Sequence, residues 1–158
     1  MPQEERYGKR CMAYSAWHRR KSTGRYVGIE QAQLLAMIDI DVPIYMEYDD
    51  ETKEPVALIE VAQDVGQHKP STVTANLCRR AKLPGFVALY TLDDKPNPAD
   101  PAEMDILKFR VKRLWPCPEK ENGWRPQSPR EWAETLLKVR KWQGHELDKE
   151  LFGDEQPF

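Results

Sequence analysis

The sequence predicts an α/β protein built on a mixed central β-sheet flanked by α-helices. Two observations carry this. Apolar runs of strand length recur at Met37-Ile-Asp-Ile-Asp-Val-Pro-Ile-Tyr-Met-Glu-Tyr48, Pro55-Val-Ala-Leu-Ile-Glu-Val-Ala-Gln63 and Phe86-Val-Ala-Leu-Tyr-Thr-Leu92. Between and around them lie segments that open on helix caps or are rich in helix formers. With 158 residues and 40% hydrophobic content, the chain can close one core. One domain is expected over residues 1–145, followed by an acidic, flexible tail over 146–158.

Taken in order, the segment through Arg20 has helical character, with Tyr7, Cys11, Tyr14, Ala16 and Trp17 roughly on one side. Gly28 to Met37 is a second helix leading directly into the first strand run. Pro43 removes a backbone donor there, so that strand lies at an edge or bulges. Asp49 to Glu54 is a polar connection of hairpin length. After the second run, Gln63 to Thr72 is a loop punctuated by Gly66 and Pro70. A helix follows, capped by Ser71 or Thr72, with Val73, Leu77 and Ala81 as its inner stripe. The continuous apolar run 86–92 suits a strand covered on both faces. Asp93 to Pro101, with three prolines, reads as a loop. In Leu107-Lys-Phe-Arg-Val-Lys-Arg113, apolar and basic residues alternate, as in a half-buried strand with a basic outer face. Trp115 to Gln127 is proline-rich and irregular. Ser128-Pro-Arg-Glu131 is a helix start with a capping box, and the helix runs toward Gly144 on Trp132, Leu136, Val139 and Trp142.

Composition narrows the function classes. A charged fraction of 32% and no apolar run approaching the roughly 18 residues of a membrane span describe a soluble chain. Residues 1–6 have no basic region followed by an apolar stretch, so no secretory signal is expected and the location is read as cytoplasmic. Cys11, Cys78 and Cys117 are widely separated and read as reduced thiols. His18, His68 and His145 are equally scattered, which argues against a histidine metal centre. No internal repeat, phosphate-binding glycine loop or nucleophile elbow is present. The net charge of −2 does not advertise nucleic-acid binding, but basic residues gather at His18-Arg19-Arg20-Lys21, Arg79-Arg80-Lys82 and 108–113. Such clusters are usually solvated. The alternating strand is the exception, because Lys108, Arg110 and Lys112 would meet phosphates if their face turned to a cleft.

The carboxylates inside the first two strand runs are the most informative residues. Asp39 and Asp41 alternate with Ile38, Ile40 and Val42, and Glu60 follows Val56-Ala-Leu-Ile59 in a stretch too apolar for a solvated surface. A carboxylate in such surroundings is costly unless paired, protonated or bound to a metal. Each alone has an ordinary role available: a turn cap for Asp39, an arginine partner for Asp41, a solvent edge for Glu60. Together on neighbouring strands, Asp39 or Asp41 can share a divalent cation with Glu60.

Asp39-Ile-Asp41 followed by Val56-Ala-Leu-Ile-Glu60 resembles the core of the PD-(D/E)XK, or restriction-endonuclease-like, nuclease superfamily. The likeness covers about Glu30 to Leu92, and the stretch from Trp17 to Gly66 is also similar to uncharacterised phage and prophage proteins. The resemblance implies a restriction-endonuclease-like core and a nuclease that hydrolyses DNA phosphodiester bonds with Mg2+ or Mn2+. It assigns metal binding to Asp41 (or Asp39) and Glu60, and a completing carboxylate to Glu30. The chain departs from the pattern at Ala62, where the motif has lysine. Gln63 has the wrong strand parity, so Lys69 is the expected substitute, with Arg79 and Arg80 behind it. His18, Arg19 and Arg20, with Lys108, Arg110 and Lys112, are the expected nucleic-acid contacts; Trp17 is expected to pack. DNA is the expected partner, and the C-terminal helix leaves a homodimer open. The alternative is a nuclease-like fold without chemistry, a phage-encoded regulator or inhibitor that binds nucleic acid or a host protein.

Overall fold

A computed structural model describes residues 13–19, 24–36, 40–116 and 123–152. Its backbone gathers into two compact units, Met1–Asp39 and Ile40–Phe158. The first holds α1 (Ala13–Arg19), α2 (Gly24–Val27) and α3 (Ile29–Ala32), with a 3-10 turn at Gln33–Leu35. The single helix expected from Gly28 is thus short. Gly28, at φ +84°, forms its entry, and the last turn tightens before residues 37–39, which lie outside the described part. Trp17 packs between Tyr14 and Tyr26, with ring centroids 5.7 and 6.4 Å away. Tyr7 and Cys11 lie outside the described residues.

The second unit is an α/β layer structure around a five-stranded mixed sheet in the order β1 (Val42–Glu47), β2 (Lys53–Gln63), β3 (Gly85–Asn97), β4 (Asp100–Trp115) and β5 (Arg125–Gln127). β1 and β2 form the expected hairpin. Its turn is closed by Tyr48 N–H donating to Thr52 O at 2.9 Å and by the Asp50 carboxylate accepting from Thr52. Pro43 sits on the edge strand, where a missing donor is tolerated, and the register shifts between Ile44 and Tyr45. No further strand among the described residues precedes α4 (Thr72–Ala81), which carries the chain over to β3, parallel to β2.

The helices cover opposite faces. Side chains alternate along β2: Ile59 and Val61 pack with Phe86, Ala88, Val111 and Trp132 beneath α5 (Pro129–Phe152), whereas Leu58 packs with Cys78 and Leu83 beneath α4. Covering on both sides is why β2 is buried without a break from Val56 to Glu60.

Four expectations are corrected. The inner stripe of α4 is Thr74 and Cys78, not Val73, Leu77 and Ala81, which are exposed. The helix is turned by the Thr74 hydroxyl, which finds a buried acceptor, and by the small Cys78. The Cys78 sulfur rests where a Cβ on residue 85 would stand, so Gly85 is what lets α4 approach. Second, Asp93 to Pro101 is mostly strand: β3 and β4 continue as a two-stranded ribbon past the point where β2 stops at Tyr90, through irregular pairing at Leu92, Pro96 and Asn97. In a ribbon with open edges every second N–H points outward, where proline removes no ladder bond. Third, Arg125–Gln127 is a strand, paired with Phe109–Val111.

Fourth, α5 does not stop at Gly144. It starts on the reciprocal box, Ser128 N–H to Glu131 Oε1 and Glu131 N–H to Ser128 Oγ, both 3.1 Å. It passes Gly144, where a Cβ would already lie 3.7 Å from the Met46 sulfur, and continues so that Leu147 packs on Met46, Val56 and Ala57. Glycine in a helix interior costs about 1 kcal/mol, which the favourable residues after it offset. No helix among the described residues is long and apolar enough to cross a membrane.

Candidate active site

The hairpin register sets two carboxylates side by side. Val42 pairs with Ile59, so Asp41, one residue before β1, comes level with Glu60 on β2. The Asp41 Oδ2 accepts from the Val61 N–H at 3.0 Å, which ties its side chain to β2. Glu60 points to the α4 face, where its side chain is only 2% exposed. There the Thr74 hydroxyl donates to Oε1 at 2.6 Å, fixing one carboxylate oxygen and leaving Oε2 toward Lys69.

The third member arrives on the loop after β2. Gly66, at φ +82°, takes a conformation open to glycine, and the chain returns so that Lys69 Nζ lies 2.8 Å from Asp41 Oδ2 and 3.6 Å from Glu60 Oε2. The side chains of Lys69 and Asp41 are 25% and 29% exposed, so one side of the cluster meets solvent while Glu60 forms its floor.

The protonation chemistry follows from this geometry. Burial pushes the Glu60 carboxyl above its ordinary value; the Thr74 hydroxyl pulls it down, but the neighbouring Asp41 adds to the rise. For Asp41, burial pulls in the same upward direction, yet the Lys69 ammonium and the Val61 N–H outweigh it and hold the carboxyl below the aspartate range. Hydrogen bonding to Asp41 raises Lys69, against its desolvation, so the amine stays charged at neutral pH. The cluster therefore holds a carboxylate, an acid that binds its proton more tightly than usual, and a cation 2.8 Å from the first and 3.6 Å from the second.

No family model, curated protein or solved structure matches the chain.

The other expected site residues are placed as follows. Ala62 shares the face of Glu60 and brings no charge, and Gln63 is exposed at the end of β2. Val87 pairs with both Glu60 and Lys112, and Leu89 with both Ala62 and Arg110. Lys108, Arg110 and Lys112 therefore alternate onto the carboxylate side of the sheet. Arg110 is engaged there: it forms a two-pronged pair with Asp64 at 3.0 and 3.1 Å and lies 4.7 Å from the Trp124 ring centroid. Arg79 and Arg80 are exposed in the last turn of α4. Glu30 is exposed in the first turn of α3 and belongs to the first unit. Asp39 and Arg20 lie outside the described residues, as do the side chains of His18 and Arg19.

Two contributors were missed from sequence, Thr74 and Asp64. The signal for Thr74 was the i, i+4 pair of small residues Thr74 and Cys78, which lets a helix settle closely on a sheet. For Asp64 no local signal exists, because its partner Arg110 is 46 residues away.

Among the described residues, no three His, Cys, Asp or Glu side chains gather as a ready metal cluster. Two carboxylates still suit Mg2+, which is commonly held by one or two such groups and keeps several waters. Asp41 and Glu60 already converge on a single cation, the Lys69 ammonium, and the open side of the cluster admits water.

Proposed function

We propose that the chain is a magnesium-dependent nuclease with a restriction-endonuclease-like core, hydrolysing DNA phosphodiester bonds at Asp41, Glu60 and Lys69. The observation that carries this reading is the position of Lys69 Nζ beside both carboxylates, which supplies the amine that Ala62 lacks. Asp41 and Glu60 would hold the cation. When bound, a divalent ion supplies a lowered water pKa and charge neutralisation at the phosphate.

The protein groups have distinct parts. Glu60, anchored by Thr74, offers one oriented oxygen. Lys69 stands at the open side of the cluster, 2.8 Å from Asp41 Oδ2. It donates hydrogen bonds to a phosphate oxygen or to the attacking water, holding the reactants in place and stabilising negative charge as it builds. Lys108 and Lys112 lie on the same side of the sheet and suit the flanking phosphates of a strand.

A second reading has its own support. Lys69 already compensates both carboxylates, so the cluster is electrostatically complete as an ion-pair device, as in a nuclease-like fold that only binds nucleic acid or protein. One experiment separates the two. Purified protein is titrated with Mn2+ by calorimetry and assayed on plasmid, linear duplex and single-stranded DNA, beside Asp41→Asn and Glu60→Gln. The nuclease reading expects metal binding and cleavage that both variants lose without losing their fold. A wild-type protein that binds no divalent metal and cuts none of the substrates sinks it in favour of the binding fold.

A further inference from the structure

We infer that the pair of Arg110 with Asp64 is a latch that a nucleic-acid phosphate opens, and that its opening withdraws Lys69 from the cation position between Asp41 and Glu60. This rests on the nuclease reading of that cluster and adds its regulation. Arg110 is then a positioning residue, acting through the loop after β2. That loop is pinned at both ends. At its start the Asp64 N–H donates to Tyr90 O at 2.8 Å, and the Asp64 carboxylate accepts from Arg110 Nε and Nη2 at 3.0 and 3.1 Å. At its far end Lys69 Nζ meets Asp41 Oδ2 at 2.8 Å. Between the pins Val65, Gly66, Gln67 and His68 are exposed, and among the described residues 66–70 make no backbone-to-backbone hydrogen bond. The position of Lys69 therefore depends on the grip at Asp64.

A divalent ion and the Lys69 ammonium compete for the same carboxylate oxygens, and like charges repel. Metal loading requires the amine to move. Arg110 is placed to sense the strand that would be cut, because Asp64 lies four residues beyond Glu60, roughly 13 Å at the ~3.3 Å rise of a strand. A phosphate at Arg110 thus belongs to the same stretch of nucleic acid as one at the carboxylates. The Arg110 and Asp64 side chains are 45% and 24% exposed, so the pair meets solvent and is weak. A guanidinium fork takes a phosphate in the same two-pronged way as a carboxylate, and the Trp124 ring, with its centroid 4.7 Å away, keeps the fork in place during the exchange. Lys108 and Lys112, two positions to either side on the same face, draw phosphate toward it. Once phosphate holds Arg110, Asp64 is freed and Lys69 turns from the carboxylates to the phosphate.

Peptide-resolved amide exchange of the full-length chain in EDTA, with and without a short oligothymidylate, tests the latch without metal or cleavage. In the wild type the oligonucleotide should speed exchange across 64–70 severalfold. Arg110→Gln should exchange that fast on its own and not respond to the oligonucleotide. Arg110→Lys keeps the charge but lacks the fork, so it should bind the oligonucleotide nearly as the wild type does while exchanging fast throughout. Slow, wild-type exchange in Arg110→Lys overturns the latch, because charge alone would then hold the loop. Calorimetry with Mn2+ reads the other end: the oligonucleotide should raise Mn2+ affinity about tenfold in the wild type and less in Arg110→Gln. Faster exchange beside an unchanged Mn2+ affinity overturns the withdrawal of Lys69. A wild type that binds Mn2+ and cuts DNA, yet whose 64–70 segment is not speeded by the oligonucleotide, overturns the latch alone. Speeded exchange in a protein that binds no Mn2+ and cuts no DNA keeps the phosphate-opened latch and sinks the nuclease reading.

Discussion

The two faces of the sheet are stabilised in different ways, although they share the same strands. Beneath α5, Trp132 packs edge-on against Phe86 at 5.6 Å and against Phe109 at 6.0 Å, with Ile59, Ala88 and Val111 around them. That face is held by removal of apolar area from water, a non-directional force that leaves no chemistry behind. Beneath α4, the centre is a fully buried glutamate held by a threonine and shielded by a lysine from the next loop. A buried ion pair is seldom more stabilising than apolar packing of equal volume. The α5 face is therefore the foundation of the domain, and the α4 face is where stability is given up for a defined arrangement of charge.

The largest break in this comparison is Trp132→Ala, which should cost about 3–5 kcal/mol as a cavity opens in the aromatic cluster. Urea unfolding followed by circular dichroism measures it. Glu60→Gln should cost far less, so equal losses would contradict the division of labour between the faces.

Lys69→Met comes next and has a mixed signature. On the proposed nuclease reading, turnover should fall by a factor on the order of 100, as for other positioned electrostatic groups. Affinity for Mn2+ should rise, because an ammonium about 4 Å from a divalent ion costs roughly 2 kcal/mol even in water. Weaker metal binding in this variant would show that the amine is part of the cation site rather than its competitor.

Thr74→Val keeps the volume and removes the hydroxyl, leaving Glu60 Oε1 without its donor. A loss of about 1–3 kcal/mol is expected at neutral pH, shrinking in acid as Glu60 takes up a proton. The pH dependence of the wild type follows from opposite shifts. Glu60 has a raised folded pKa, so its contribution is present below its ordinary value of 4.5 and is lost as pH rises through the folded value. Asp41 has a lowered one, so its contribution is present above 3.8 and is lost as pH falls through the folded value. Chemical unfolding across pH 2–8 should therefore show a decline above about pH 4.5 that Glu60→Gln reduces, and an acid loss that Asp41→Asn reduces, with Asp50 and Glu131 adding to the latter.

The smallest effect is expected from Lys108→Glu with Lys112→Glu. On the same proposed reading, DNA affinity should fall, with the slope of log affinity against log salt lower by about one for each phosphate no longer neutralised. Arg110→Gln should also disturb the loop that carries Lys69, because Arg110 grips Asp64 at its start. An unchanged slope in the double variant would make this strand face merely solvated.

What the sequence disclosed was mostly local. The alternation around Asp41 and Glu60, the hairpin-length link and the glycine at 66 suffice to bring two carboxylates and a lysine together, because each step spans a few residues. Features that depend on distant pairing were hidden. The proline-rich stretch after Leu92 is strand only because Met104 and Ile106 pair with it, and Arg125–Gln127 is strand only because Phe109–Val111 borders it. The rotation of α4 was misread for a related reason: ranking residues by hydrophobicity favours Val73 and Leu77, while the helix is oriented by one hydrogen bond to a residue 14 positions away.

The close approach of Cys78 to Gly85 makes that sulfur a clock for the lifting of α4. The thiol is fully buried, and burial pushes its pKa up to about 11, so neither access nor thiolate is available in the closed state. Alkylation must await an opening in which the helix leaves the sheet, and the same excursion exposes Glu60 through Thr74. Labelling kinetics at Cys78, resolved by peptide mass spectrometry, would thus report how often the carboxylate floor is uncovered. Any ligand bridging Asp41 and Glu60 should slow that rate in proportion to its occupancy.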